Sequence, residues 1–245
     1  MTTTARSLPC PAQPPAPAPD SPAPGPGLPT SGTLPAAGGS HQRLTTSPRD
    51  AFRSVLCGDG VSRCPWALST AGALADHDDE WGTPPSTPAE HFAALMLELV
   101  DSGLARWSQS ARHGAWYLHM AQLRPERLAL LDEDDVEDLL VNPELIRNRS
   151  KIEAVIHNAQ VCQDWDVTQW NELLTEAQVP PAEPPPQNAL DLPESTAASR
   201  GLSLALRSRG IVLVGPVTAH RWLQRIGRAS GHVAGCFRAQ DTRTG

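Results

Sequence analysis

Residues 132–162 read DEDDVEDLLVNPELIRNRSKIEAVIHNAQVC, and this stretch decides the class of the fold. Asp132 to Asp135 opens a helix, with four carboxylates facing the positive end of its dipole. Val136, Leu139 and Leu140 form its buried stripe, and Asn142-Pro143 ends it. Ile152, Val155, Ile156 and Ala159 then recur at helical spacing and predict a second helix from about Arg149. Two helices and a short turn make a hairpin. Arg147, Arg149 and Lys151, the only lysine of the chain, sit where its second helix begins. A helix start with free N–H groups and basic side chains is a natural phosphate site. It is equally a solvated helix start whose cations pair with the acidic helix before it, and composition leaves the two readings equal.

The same pattern extends outward. Thr87-Pro88-Ala89-Glu90 combines an N-cap, a proline at the first helical position and a glutamate closing a capping box. Phe92, Leu95, Met96, Leu99 and Val100 follow at helical spacing, with Gly103 as the stop. Residues 195–209 predict a helix ending at Gly210, Ile211 to Val214 a short apolar link, and Gly215-Pro216 the start of a last helix running to Gly227. Val179 to Asn188 holds five prolines and predicts a loop. Strand signals are nearly absent, so the class is all-α, and there is no internal repeat.

The 245 residues include 25 prolines, 12 of them within residues 1–50, where large apolar side chains are almost missing. Such a segment cannot offset its ordering entropy, so residues 1–55 are expected to be a disordered Pro/Ala/Gly-rich tail. It is either a spacer or an extended segment that binds a protein partner. Residues 56–240 form the expected folded domain. The net charge of −7 excludes a uniformly basic coat but leaves room for a basic face. Residues 132–198 carry 15 acidic and 3 basic side chains, whereas residues 199–245 carry 8 arginines and one aspartate. Five irregularly spaced cysteines do not make a secreted disulfide scaffold. No apolar run reaches the roughly 18 residues of a membrane span, and no secretory signal opens the chain. A soluble, cytoplasmic protein, acting as a monomer without a membrane partner, is expected.

Cys64 is followed by His77, and His232 by Cys236 four positions on. Two thiolates and two imidazoles are a set that suits tetrahedral zinc. Four ligands leave no open position, so such a zinc would be structural. It would close a loop of about 170 residues, where the entropy of closure is large. Gly231 and Gly235 would ease close packing around the second pair. The same residues are also compatible with a buried free cysteine and surface histidines.

Taken together, these pieces resemble the DNA-3-methyladenine glycosylase I family, bacterial base-excision enzymes with a divergent helix-hairpin-helix fold. The resemblance rests on Arg63-Cys64-Pro65-Trp66, on the run from His77 to Gly82, and on Leu97-Glu98 with Ser102-Gly103-Leu104. It continues through Ile146 to Ile152, Leu206 to Gly210, Val214-Gly215 and His232 to Cys236, in family order as far as the C-terminal end. It implies a structural zinc on Cys64, His77, His232 and Cys236. It also implies an enzyme that binds duplex DNA, extrudes an alkylated purine such as 3-methyladenine and cuts its N-glycosidic bond. Glu98 falls on the family's catalytic carboxylate, Trp66 on an aromatic of the base pocket, and Arg147, Arg149 and Lys151 on the DNA backbone contacts. Arg207 and Arg209 are weaker candidates for such contacts, and Trp81 is expected to be structural. Bacterial cytoplasm, at the nucleoid when acting, is the implied location.

The pocket departs from the family pattern. Asp76 and Ala73 stand where the family has tyrosines, and Arg106, with Trp107 one place on, stands where it has a tryptophan. Asp76 and Arg106 are therefore base-pocket residues of new chemistry, and Arg106 is expected to pair with Asp76 or Glu98, or to repel a cationic base. Two alternatives follow from the altered pocket: a DNA- or lesion-binding paralogue that does not excise, and a zinc-stabilised interaction scaffold.

Overall fold

A computed structural model describes residues 48–104 and 112–239. Nine α-helices lie among these residues, with one two-stranded ladder. The ladder pairs β1 (Val55–Leu56) antiparallel with β2 (Ser62–Arg63). Helices α1 (Ala71–Ala75) and α2 (Pro88–Asp101) follow, then α3 (His113–His119) and α4 (Pro125–Leu128). The hairpin is α5 (Glu133–Val141) and α6 (Arg149–Cys162), and α7 (Val167–Glu176), α8 (Ala197–Ser208) and α9 (Pro216–Arg225) complete the fold. The all-α expectation holds. No helix of the described residues is long and apolar enough to cross a membrane.

Helix α2 is the axis of the molecule. Its capping box forms as expected: Thr87 Oγ1 accepts from the Glu90 N–H at 3.2 Å, and the Glu90 carboxylate accepts from the Thr87 N–H at 3.3 Å. Every residue from His91 to Asp101 is buried. A helix covered on all sides must be roofed by neighbours, and α6, α7 and α9 pack against it. Trp116, Trp170 and Trp222 fill the core around it. The polar residues of α2, Glu98 and Asp101 among them, are therefore enclosed in the interior and need partners there.

The hairpin forms from local signals. Asp132 caps α5 by accepting from the N–H groups of Asp134 and Asp135, and Asn148 caps α6 by accepting from the N–H of Lys151. Gly210 and Gly227 follow α8 and α9 with positive φ, as expected of helix stops. Helix α7 also starts from a local signal. Asp166 and Gln169 form a capping box ahead of buried Trp170, Leu173 and Leu174.

Most of the expected tail, residues 1–47, lies outside the described residues, and residues 48–55 contact the domain. Arg49 forms an ion pair with Asp191, the Asn188 side chain donates to the Arg49 carbonyl, and Val55 pairs with Arg63.

Candidate active site and metal centre

Two sites share one short turn. Residues Asp76–Glu80 form a π-turn, closed by the Trp81 N–H donating to the Asp76 carbonyl at 2.7 Å. It sends two consecutive buried side chains, Asp76 and His77, into different environments.

His77 points to a cluster with Cys64, His232 and Cys236. All four are buried, and their donor atoms lie within 4.8 Å of one another. Cys236 Sγ is 3.3 Å from His77 Nε2 and 3.8 Å from His232 Nδ1, and Cys64 Sγ is 3.6 Å from His232 Nδ1. Tetrahedral zinc, with bonds of about 2.3 Å to sulfur and about 2.0 Å to nitrogen, spaces such atoms about 3.6 Å apart. The outward ring nitrogens are occupied: His77 Nδ1 meets Asp78 at 2.8 Å, and His232 Nε2 meets the Trp81 carbonyl at 3.2 Å. These contacts leave Nε2 of His77 and Nδ1 of His232 as acceptors facing the thiols, as metal ligation requires. Arg63 in turn brackets Asp78 at 2.8–3.0 Å. Cys64, His232 and His77 draw the Cys236 thiol well below its ordinary pKa despite burial. The donor set, the spacing and the supporting contacts all fit zinc.

Close packing at the C-terminal pair depends on two glycines, as expected. A Cβ at Gly231 would stand 2.4 Å from Trp81 Nε1. One at Gly235, where φ is +84°, would stand 2.7 Å from Ser54 Oγ.

Asp76 points the other way, towards Glu98. Glu98 is fully buried on α2, and the cation that meets it comes from α9. Arg225 Nε donates to Glu98 Oε1 at 2.6 Å, and its two terminal nitrogens donate to both oxygens of Asp76 at 2.8 and 3.1 Å. Arg221, one turn earlier, puts Nε 2.9 Å from Glu98 Oε2, as a charge contact rather than an aligned hydrogen bond. The Arg225 guanidinium lies over the Trp81 ring, 4.9 Å from its centroid. His113 joins through Asp101 at 2.9 Å and Asp76 at 3.5 Å.

The buried carboxylates of this cluster are each met by a cation. Burial alone would raise the pKa of Glu98, but Arg221 and Arg225 outweigh it and hold the carboxylate ionised. Asp76 is likewise held below its ordinary value, Arg225 and His113 overcoming its burial. For His113, burial opposes the charge, but the bonds to Asp101 and Asp76 prevail and raise its pKa to about 9. Arg221, Arg225 and protonated His113 thus face Asp76, Glu98 and Asp101, with the half-exposed Glu80 3.6 Å from Arg225 as a fourth carboxylate.

A cleft of about 270 Å³ opens beside this cluster, lined by Arg225, Glu80, Tyr117, Leu97 and Ala94 among others. That volume lies near the lower end of the range for small-ligand pockets, about 300–1,000 Å³. Burial raises the pKa of Tyr117 to about 12 and raises that of Glu80 as well.

The predicted site residues divide. Cys64, His77, His232 and Cys236 converge as expected, and Asp76 joins Glu98. The ring of Trp66 packs edge-on to His77 at 5.1 Å and to Trp81 at 5.5 Å. Trp81, expected to be structural, is the indole that carries Arg225. Arg106 and Trp107 lie outside the described residues. A guanidinium does meet Asp76 and Glu98, but it is that of Arg225. The i, i+4 spacing of Arg221 and Arg225 on the last helix was the available signal.

The hairpin cations also divide. Lys151 is corrected: it is buried, and its Nζ donates to the carbonyls of Val100 and Ser102 at 2.7 and 2.6 Å, capping the end of α2. Arg149 is tied to Glu133, Glu137 and Glu153. Arg147 is exposed and has no ion pair among the described residues. Arg209 pairs with Glu176, and Arg207 is exposed.

The methyladenine glycosylase family matches residues 66–239. DNA-3-methyladenine glycosylase 1 of Escherichia coli (strain K12) is 30% identical over 183 residues, covering 72% of this chain and 96% of the relative. DNA-3-methyladenine glycosylase of Haemophilus influenzae is 26% identical over 188 residues, covering 72% of this chain and 97% of the relative. A crystal structure of a 3-methyladenine DNA glycosylase I, 30% identical, superposes with a TM-score of 0.63 over 71% of this chain and 98% of that one. With one match spanning more than two-thirds of its length and near-complete coverage of these relatives, the chain belongs to the methyladenine glycosylase family.

Proposed function

We propose that this protein is a monofunctional DNA N-glycosylase that excises an alkylated purine from duplex DNA in base-excision repair. The observation that carries the reading is coverage: the likeness runs over nearly the full length of relatives named as DNA-3-methyladenine glycosylases. In the reaction the C1′–N bond breaks and its electron pair leaves with the base. The oxygen of a water bonds to C1′. For a cationic base, the products are a neutral base, a C1′ hydroxyl and one released proton. The extruded nucleotide would enter the cleft beside Arg225, where Tyr117, Leu97 and Ala94 offer ring and apolar surface and Glu80 offers a carboxylate. Glu98 acts from behind that surface, by holding Arg225 in place.

Zinc on Cys64, His77, His232 and Cys236 would be structural, and when bound it supplies a closed coordination that fastens the start of the domain to its end. Double-stranded DNA is the proposed partner, reached through the hairpin, with Arg147 as its exposed cation. A monomer working in bacterial cytoplasm, at the nucleoid, agrees with this reading, and the proline-rich tail is available to a protein partner.

One observation favours a second reading, that of a paralogue which binds lesions without excising them. Glu98 is sealed from solvent by two arginines. The deciding experiment incubates the protein with methylated and otherwise alkylated duplex DNA and identifies released bases by mass spectrometry. Release that is lost in Glu98→Gln supports the glycosylase. Lesion-selective binding with no release from any substrate transfers the assignment to the paralogue.

A further inference from the structure

We infer that Tyr117 and Glu80 determine specificity in this site: the ring of Tyr117 takes the face of a positively charged alkylated purine, and the carboxylate of Glu80 takes its exocyclic amine. The inference rests on the glycosylase reading for what enters the cleft, and on the side chains of the cleft for how it is held.

Both duties are open in this chain. Asp76 and Ala73 stand where the family has tyrosines, and both oxygens of Asp76 are bonded to Arg225. Glu98 is fully buried, with Arg225 on one oxygen and Arg221 on the other. The cleft supplies replacements from other elements. Tyr117, the only tyrosine of the chain, is the one aromatic side chain among the described residues that line it. It stands on α3 one turn after His113, whose contacts with Asp101 and Asp76 fix that helix against the charge cluster. The side chain is half-buried, and Leu97 and Ala94 give the cleft an apolar wall. Three carboxylates line the same cleft: Asp79, Glu80 and Glu90. Glu90 is committed to the N–H groups of Ser86 and Thr87. Glu80 is half-exposed, and its ion pair with Arg225, at 3.6 Å, lies beyond hydrogen-bond reach, so its oxygens are open to a ligand. The charge of Arg225 is already answered by Asp76 and Glu98, which leaves the cleft with an excess of negative charge. A cationic ring gains twice there. Its face is attracted to the electron-rich ring of Tyr117, and its amine donates a charge-assisted bond to Glu80. An uncharged purine keeps the stacking and loses most of the electrostatic gain.

The test uses the full chain and two probes, the cation of 3,9-dimethyladenine and uncharged 9-methyladenine, with binding followed by calorimetry at pH 7. Wild type is expected to bind the cation at least about tenfold more tightly than the uncharged purine. Glu80→Gln should remove that preference by weakening the cation alone, about tenfold. Tyr117→Leu should weaken both probes, by about ten- to a hundredfold, whereas Tyr117→Phe, which keeps the ring, should stay within about threefold of wild type. Loss in the leucine variant with rescue in the phenylalanine variant, at equal melting temperature, is a result that a packing role alone would not give. Glu80→Gln changes only a half-exposed group, so its result stands whether or not Tyr117→Leu folds. Binding of neither probe, no preference for the cation in wild type, a preference kept by Glu80→Gln, or wild-type binding by folded Tyr117→Leu overturns the inference. Excision from methylated duplex DNA is read separately. The expected binding pattern with no base released from any alkylated duplex removes the glycosylase reading and leaves the two residues as a lesion-binding site. Excision whose kcat/KM is unchanged in both Tyr117→Leu and Glu80→Gln removes the inference and leaves the glycosylase.

Discussion

The Cys/His cluster and the Glu98 cluster lie on either side of Trp81 and contain similar ingredients, but they are satisfied in opposite ways. Four donors of the first face one another, with the outer ring nitrogens anchored by Asp78 and a backbone carbonyl. In the second, two carboxylates converge on Arg225 from α9, and Arg221 from the same helix meets one of them. Buried thiols and imidazoles turned on one another suit an ion from outside. Buried ligands met by the chain's own guanidinium do not. The composition of a cluster therefore says less about its ligand than the identity of what already sits at its centre.

The largest test of this contrast concerns the first site. Purified protein is expected to hold one zinc. Cys236→Ala, or exhaustive chelation, should abolish the cooperative fold, since zinc sites of this kind contribute about 10 kcal/mol or more. Metal analysis with circular dichroism on heating checks this, and zinc-free protein with an unchanged transition would break the comparison.

Removing the internal cation of the second site should cost less. Arg225→Ala is expected to destabilise by about 3–5 kcal/mol, because Asp76 and Glu98 are left in the interior without their main partner. Asp76→Ala/Arg225→Ala should recover part of that loss. Chemical denaturation of both variants measures it, and a double variant no more stable than the single would show that Asp76 does not depend on Arg225.

A smaller effect separates the hairpin cations. Lys151→Ala should lower stability by about 1.5–3 kcal/mol, through loss of two charge-assisted bonds to the end of α2, and leave the salt dependence of DNA binding unchanged. Arg147→Ala should do the reverse, reducing the salt slope by about one with little change in stability.

The mildest probe is pH. The folded pKa of His113, near 9, lies above its ordinary value of 6.5. Its contribution is therefore complete below about pH 6.5 and is lost as pH rises through about 9. Denaturation midpoints between pH 6 and 10 should fall over that window, and Asp101→Asn should flatten the fall.

Much of this molecule was legible locally. Thr87 with Glu90, Asp132 with Asp135 and Gly210 with Gly227 mark helix ends through contacts made within a turn or two, so the sequence displays them directly. The four metal-type donors were legible because thiol and imidazole pairs are uncommon enough to stand out, although their closure spans residues 64 to 236. Glu98 was legible through the resemblance, as the family's carboxylate, but its partners were not, because they lie 123 and 127 positions away on another helix. Lys151 had the composition of a phosphate ligand and became a cap, since the end of α2 docks within reach of its Nζ.

By itself, then, the sequence determined the all-helical class, the caps, the hairpin and the set of four metal-type ligands. Each follows from spacing within a few residues or from residue types with little alternative use. Only the tertiary structure decided which charge answers which. Docking of α9 against α2 brings Arg225 to Glu98, and the π-turn brings Asp76 to the same guanidinium. The physical reason is that a buried carboxylate must be neutralised by whatever cation the packing presents, and packing depends on shape summed over the whole core rather than on distance along the chain.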